Sequence, residues 1–95
     1  MQSLNSNEVH AALANLPGWA ADGEAISRTY TCASFREAMA FAGRIADYAE
    51  SEDHHPDLRI SYKKVTVTWS THDAGGVTRK DLDAAAATDN AFKTA

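Results

Sequence analysis

Three of the chain's four histidines fall at two places, the tandem pair in Asp53-His54-His55-Pro56 and the single residue in Thr71-His72-Asp73. An imidazole titrates at roughly pH 6.5, so it can give and take a proton under ordinary conditions. Residue types in this pattern point to general acid/base catalysis, provided the fold brings the two places together. Neighbours in an extended segment point to opposite sides, so His54 and His55 are expected to do different jobs. Asp53, Asp57 and Asp73 lie within two residues of a histidine. A carboxylate in hydrogen-bond reach would favour the charged imidazolium and fix a tautomer. Three histidines and several aspartates are also the donors of a zinc or iron site. However, adjacent histidines rarely both reach one ion, and neither His-x-x-x-His nor Cys-x-x-Cys occurs, so the reading assigns no metal. His10 reads as a solvated helix residue and Cys32 as a packed small residue rather than a nucleophile.

These side chains have to be positioned by elements. Asn5 to Leu16 reads as a helix with Asn5 or Ser6 as its cap and Val9, Ala12, Leu13 and Leu16 as its apolar stripe. Pro17-Gly18 stops it. Trp19 opens a short extended stretch, Asp22-Gly23-Glu24 is a turn signal, and Ala25 to Thr31 reads as a strand. Ser34 with Glu37 forms a capping box for a longer second helix. Phe35, Ala38, Met39, Ala42, Ile45, Ala46 and Ala49 make its apolar face, widened by Phe41 and Tyr48. Pro56 disfavours helical geometry at His55, which ends that helix before the histidine pair. Leu58 to Tyr62 and Val65 to Thr71 read as strands joined at Lys63-Lys64. The second alternates, with Val65, Val67 and Trp69 on one face and Thr66, Thr68 and Ser70 on the other. Thr78 starts a third helix with Asp81 in its box position and Leu82, Ala85 and Ala86 as its inner face. The order is α-β-β-α-β-β-α, an α+β fold with a four-stranded antiparallel sheet and three helices on one face. A tight hairpin sets the start of one strand opposite the end of the next, so the His54-His55 and His72 sites should emerge at the same edge of the sheet.

At 95 residues the chain is expected to be one domain over 1–95. So small a core is often extended by self-association, and a homodimer or homotetramer is expected. A net charge of −4 argues against direct nucleic-acid binding, which needs a basic surface. No apolar run approaches the roughly 20 residues of a membrane span. The N-terminus lacks the basic start and apolar core of a secretory signal, and the single Cys32 cannot pair internally; the expected location is cytoplasmic, with no membrane partner.

Glu50-Ser-Glu-Asp-His54-His55-Pro56, then Tyr62 after five residues, His72 after nine more and Asp81 after eight more, resembles the signature of the pterin-4a-carbinolamine dehydratases. The likeness continues through Tyr62-Lys-Lys-Val65, Trp69-Ser-Thr-His72 and Gly75-Gly76-Val-Thr-Arg-Lys-Asp81, and in the first half through Leu16-Pro-Gly-Trp19. The resemblance implies a four-stranded sheet covered by three helices and dimers or tetramers. It also implies dehydration of 4a-hydroxytetrahydropterin, the product of aromatic amino acid hydroxylases, to quinonoid dihydropterin, with no cofactor and no metal. By matched position it implies that His54 and His72 are the acid/base residues and that His55 binds the pterin ring. Pro56 would shape the pocket, Thr71, Asp73 and Ala74 would line it, Asp81 would orient His72, and Glu50 would support the histidine loop. One departure is Leu58, where many members have tryptophan; leucine offers apolar contact without ring stacking, which bears on substrate affinity. Some proteins similar to this family act instead as interaction modules, dimerisation partners of transcriptional regulators. The three histidines present here favour catalysis.

Overall fold

The computed structural model describes residues 2–93. Helix α1 (Ser6–Leu13) is capped reciprocally: the Asn5 side chain accepts from the Glu8 amide at 2.8 Å, and the Glu8 carboxylate accepts from the Asn5 amide at 2.9 Å. Two amides that a helix start leaves free are thereby satisfied. The apolar pattern predicts this helix to Leu16, but it stops at Leu13. Beyond it the Asn15 and Leu16 amides bond back to the Ala12 and Leu13 carbonyls in tighter turns, because Pro17 disfavours helical geometry at Leu16.

Trp19 leads into β1 (Ala20–Asp22), which pairs with β2 (Ala25–Thr31) across the turn Gly23-Glu24. Ser34, accepting from the Glu37 amide at 3.1 Å, caps α2 (Phe35–Glu52). Strands β3 (Asp57–Ser61) and β4 (Lys64–Trp69) follow, then a 3₁₀ turn (His72–Ala74) and α3 (Arg79–Lys93). The sheet is antiparallel with strand order β1-β2-β4-β3. The order of elements is the expected α-β-β-α-β-β-α, and the fold is α+β. The β3–β4 turn falls one residue earlier than predicted: Ser61 pairs with Lys64 and the turn is Tyr62-Lys63, with Tyr62 in the left-handed region at φ 56°.

β4 carries the alternation that divides inside from outside. Val65, Val67 and Trp69 are fully buried, facing Ile26, Tyr30, Phe41 and Ile45, while Thr66 on the opposite face shares a hydroxyl hydrogen bond with Thr29. Burial of each such large apolar side chain stabilises the fold by roughly 1.5–3 kcal/mol. Two helix faces differ from the predicted ones. In α2 the buried residues are Ala38, Phe41, Ile45 and Ala49, and Phe35 and Met39 are exposed; the stripe is rotated to put the large Phe41 ring in the core. In α3 the buried residues are Asp81, Ala84, Ala85 and Thr88, and Ala86 is exposed. An apolar-stripe reading passes over Asp81 and Thr88 because they are polar; each is buried with hydrogen-bond partners, as burial of a polar group requires.

β4 also ends earlier than predicted, at Trp69 rather than Thr71. Thr71 instead forms an isolated bridge with Gly76, their amides and carbonyls exchanging bonds at 3.0 and 3.3 Å. That bridge pinches off the His72–Gly75 loop, whose last residue turns the chain at φ 72°. A Cβ at Gly76 would come to 3.1 Å from Ser3 Cβ, so glycine lets the N-terminal segment close over the loop.

Candidate active site

α2 ends at Asp53, a left-handed residue at φ 49° whose amide bonds to the Ala49 and Glu50 carbonyls. Aspartate tolerates this region better than most residues. The reversal sends His54 inward and His55 outward. His54 Nε2 lies 2.7 Å from Asp81 Oδ1, and the Asp81 carboxylate is completely buried. His55 Nε2 lies 2.5 Å from Glu50 Oε2, at the surface. The predicted orienting of His72 by Asp81 is therefore not the observed contact: the first turn of α3 carries Asp81 beneath His54. Glu50 does reach the histidine pair, one turn back along α2.

Beneath His54 the ring of Trp69 is stacked at a centroid distance of 5.2 Å and 23° between planes. Trp69 is fixed in turn, its indole N–H donating to Thr88 Oγ1 at 3.0 Å and its ring meeting Tyr48 edge-on at 6.0 Å. Burial first, then the Glu52 and Asp83 carboxylates, push the Tyr48 phenol above its ordinary pKa, so it serves as a neutral wall.

An open cleft of about 240 Å³ is lined by Asp53, His54, His55, Ser70, Thr71, His72, Asp73 and Lys80. Of the residues singled out in the sequence, His54, His55, His72, Thr71 and Asp73 line it. Pro56 and Ala74 flank it without lining it, and Glu50 and Asp81 act from behind His55 and His54. Asp53, singled out as a carboxylate beside the pair, also lines the cleft, Asp57 does not, and Ser70 and Lys80 are additions that the sequence reading lacks. A signal for Lys80 existed: Arg79-Lys80 places two cations in the first turn of a helix, where the backbone dipole disfavours them. A second hollow of about 150 Å³ between the α1 start and the Gly75-Gly76 loop includes His10 and Glu24, but it gathers no comparable set of imidazoles. Among the described residues no three histidine, cysteine or carboxylate groups converge closely enough to hold a metal ion. Cys32, half-buried, has its thiol pKa pushed up by burial and then by Glu37, the opposite of what a nucleophile needs.

Residues 2–91 match the family model described as pterin 4 alpha carbinolamine dehydratase. A relative in Rhodopseudomonas palustris (strain BisB18) bearing the name "Putative pterin-4-alpha-carbinolamine dehydratase" is 52% identical over 89 residues, covering 92% of this chain and 88% of that protein. The crystal structure of a transcriptional coactivator/pterin dehydratase from Brucella melitensis superposes with TM-score 0.91 at 38% identity, covering 96% of this chain and 99% of that one. A pterin dehydratase-like protein identified as a RuBisCO assembly factor in the alpha-carboxysome superposes with TM-score 0.66 at 15% identity over 81% of this chain and 89% of that one; at that identity the likeness is one of fold alone.

Proposed function

Because the chain belongs to the pterin 4 alpha carbinolamine dehydratase family, we propose that it dehydrates a 4a-hydroxytetrahydropterin to the quinonoid dihydropterin by histidine acid/base catalysis, recycling pterin after aromatic amino acid hydroxylation. The observation that carries the reading is the convergence of His54, His55 and His72 on one cleft, with the tandem pair anchored on separate carboxylates. Dehydration requires that the N5–H proton leave, that a C4a=N5 double bond form, and that the C4a–O bond break as the departing hydroxyl takes a proton and leaves as water. His54 and His72 supply the base and the acid, and His55 contacts the ring. No metal or cofactor enters this scheme. Each positioned acid or base contributes on the order of 10²–10⁴-fold, enough for a reaction that already proceeds unaided. Asp53 and Asp73 suit the N–H donors of the pterin's pyrimidine edge, and Lys80 suits its carbonyl oxygen.

The test is to generate the 4a-hydroxy compound in situ and follow its disappearance. Wild-type protein should accelerate the loss well above the buffer rate; a rate equal to buffer would refute the enzyme reading. A second reading, a protein-interaction module on the same fold, is favoured by Phe35 and Met39, 51% and 48% exposed on α2. A stoichiometric protein partner held by wild type and lost in Met39→Glu, with no pterin turnover, would support that reading instead.

A further inference from the structure

We propose that Thr71 and Thr78 are positioning residues for His54 rather than substrate contacts: through buried Asp81 they hold the imidazole with Nε2–H on the carboxylate and Nδ1 as the atom that takes the N5 proton. The inference rests on the dehydratase reading for its chemical step and on hydrogen-bond direction for its geometry.

The direction follows from counting protons. Asp81 Oδ2 accepts from the Thr71 hydroxyl at 2.8 Å and from the Thr78 amide at 2.9 Å. A threonine hydroxyl has one hydrogen, and that of Thr71 is committed to Asp81. The 2.8 Å contact between the Thr71 and Thr78 hydroxyls must then be donated by Thr78, whose oxygen accepts from the Lys80 amide at 3.2 Å. Every hydroxyl proton in the chain therefore points toward Asp81. A buried carboxylate that already receives two donors on Oδ2 is served as an anion by a third on Oδ1, and the 2.7 Å contact to His54 has the length of such a charge-assisted bond. Nε2 thus carries a hydrogen. Nδ1 has no hydrogen-bond partner among the described residues, yet no buried side-chain nitrogen or oxygen among them is unpartnered, so Nδ1 reaches solvent. Turning the ring over about Cβ–Cγ would keep it stacked on Trp69 but take Nε2 away from Asp81, so the Asp81 bond holds the orientation.

Thr71 is 8% exposed, and its hydroxyl both donates to Asp81 and accepts from Thr78. Its side chain acts through the carboxylate, as the third member of a catalytic triad acts through its histidine. In the step itself Nδ1 of His54 takes the N5 proton, the bond electrons form C4a=N5, and the hydroxyl leaves with a proton from His72. Solvent exchange then resets both rings.

The experiment compares wild type, Thr71→Val, Thr71→Ser and Asp81→Asn in the dehydration assay. Displacing His54 by removing the Thr71 hydroxyl should lower kcat about 10-fold to 100-fold with KM unchanged, Thr71→Ser should restore it, and Thr71→Val should add little to Asp81→Asn. A raised KM with kcat retained, or failure of serine to rescue, would overturn the proposal. Long-range 15N–1H spectra of the wild-type imidazoles in alkaline buffer provide a readout independent of turnover. The Nε2–H form of His54 supports the hydrogen-bond chain, and the Nδ1–H form contradicts it. Absence of wild-type turnover would remove the dehydratase reading while the spectrum still decides the tautomer.

Discussion

At the scale of single residues, two histidine–carboxylate pairs of similar length sit in opposite environments. Glu50 and His55 are mostly exposed, and exposed pairs contribute only about 0–1 kcal/mol. Glu50→Gln should therefore shift the urea midpoint very little. Asp81 is completely buried and accepts from Thr71, Thr78 and His54. Its removal strands three donors, each costing about 1–3 kcal/mol, so Asp81→Ala should destabilise by about 3 kcal/mol or more in urea unfolding. In the dehydration assay, His54→Ala and His72→Ala should each slow the reaction by on the order of 10²–10⁴-fold, and the double variant should run at the buffer rate. The histidines were legible in the sequence because imidazole is scarce and its chemistry distinctive. The partner of Asp81 was not, since its proximity in space to His54 is set by where α3 begins, 23 residues beyond Pro56 in the chain. Lys80 was passed over for a simpler reason: a lysine at a helix end ordinarily reads as surface.

At the scale of elements, start and stop signals were the most legible part. Ser34 with Glu37 and Pro56 bracket α2, because caps and prolines act locally. The hairpin turn was misplaced by one residue because Tyr62 occupies a left-handed position that its type does not advertise. Left-handed geometry costs an ordinary L-residue roughly 1–2 kcal/mol, and Tyr62 is largely exposed. Tyr62→Gly should accordingly raise stability by about 1 kcal/mol in urea unfolding; a loss would mean that the ring makes a contact that outweighs the strain. The rotation of α2 and the inner face of α3 were hidden for a different reason. Hydrophobicity ranks Asp81 and Thr88 as outward, whereas specific hydrogen bonds make them inward.

At the scale of the whole molecule, one carboxylate ties the N-terminal segment, the sheet and the last helix together. Asp89 Oδ1 accepts from the Trp19 indole at 3.1 Å, from Arg28 at 2.9 Å and from the Tyr30 hydroxyl. Burial first, and then Asp89, push the Tyr30 phenol well above its ordinary pKa. With the folded value above the unfolded one, the folded protein binds the extra proton. This stabilisation is complete below the unfolded tyrosine value of about 10 and is lost as pH rises beyond it toward the folded value. Unfolding free energy should fall between pH 10 and 12 (roughly the range above that unfolded value), and Tyr30→Phe should flatten that slope. The order of elements was legible throughout because each has its own periodicity. Subunit number was not, and the expected homodimer or homotetramer predicts a light-scattering mass two or four times 10.2 kDa. The central claim, that one pterin is held among three imidazoles, is tested most directly by titrating the protein with a stable dihydropterin while recording the ring resonances of all four histidines. His54, His55 and His72 should shift together along one saturating curve while His10 stays still; a shift that spares His72, or one centred on His10, would contradict it.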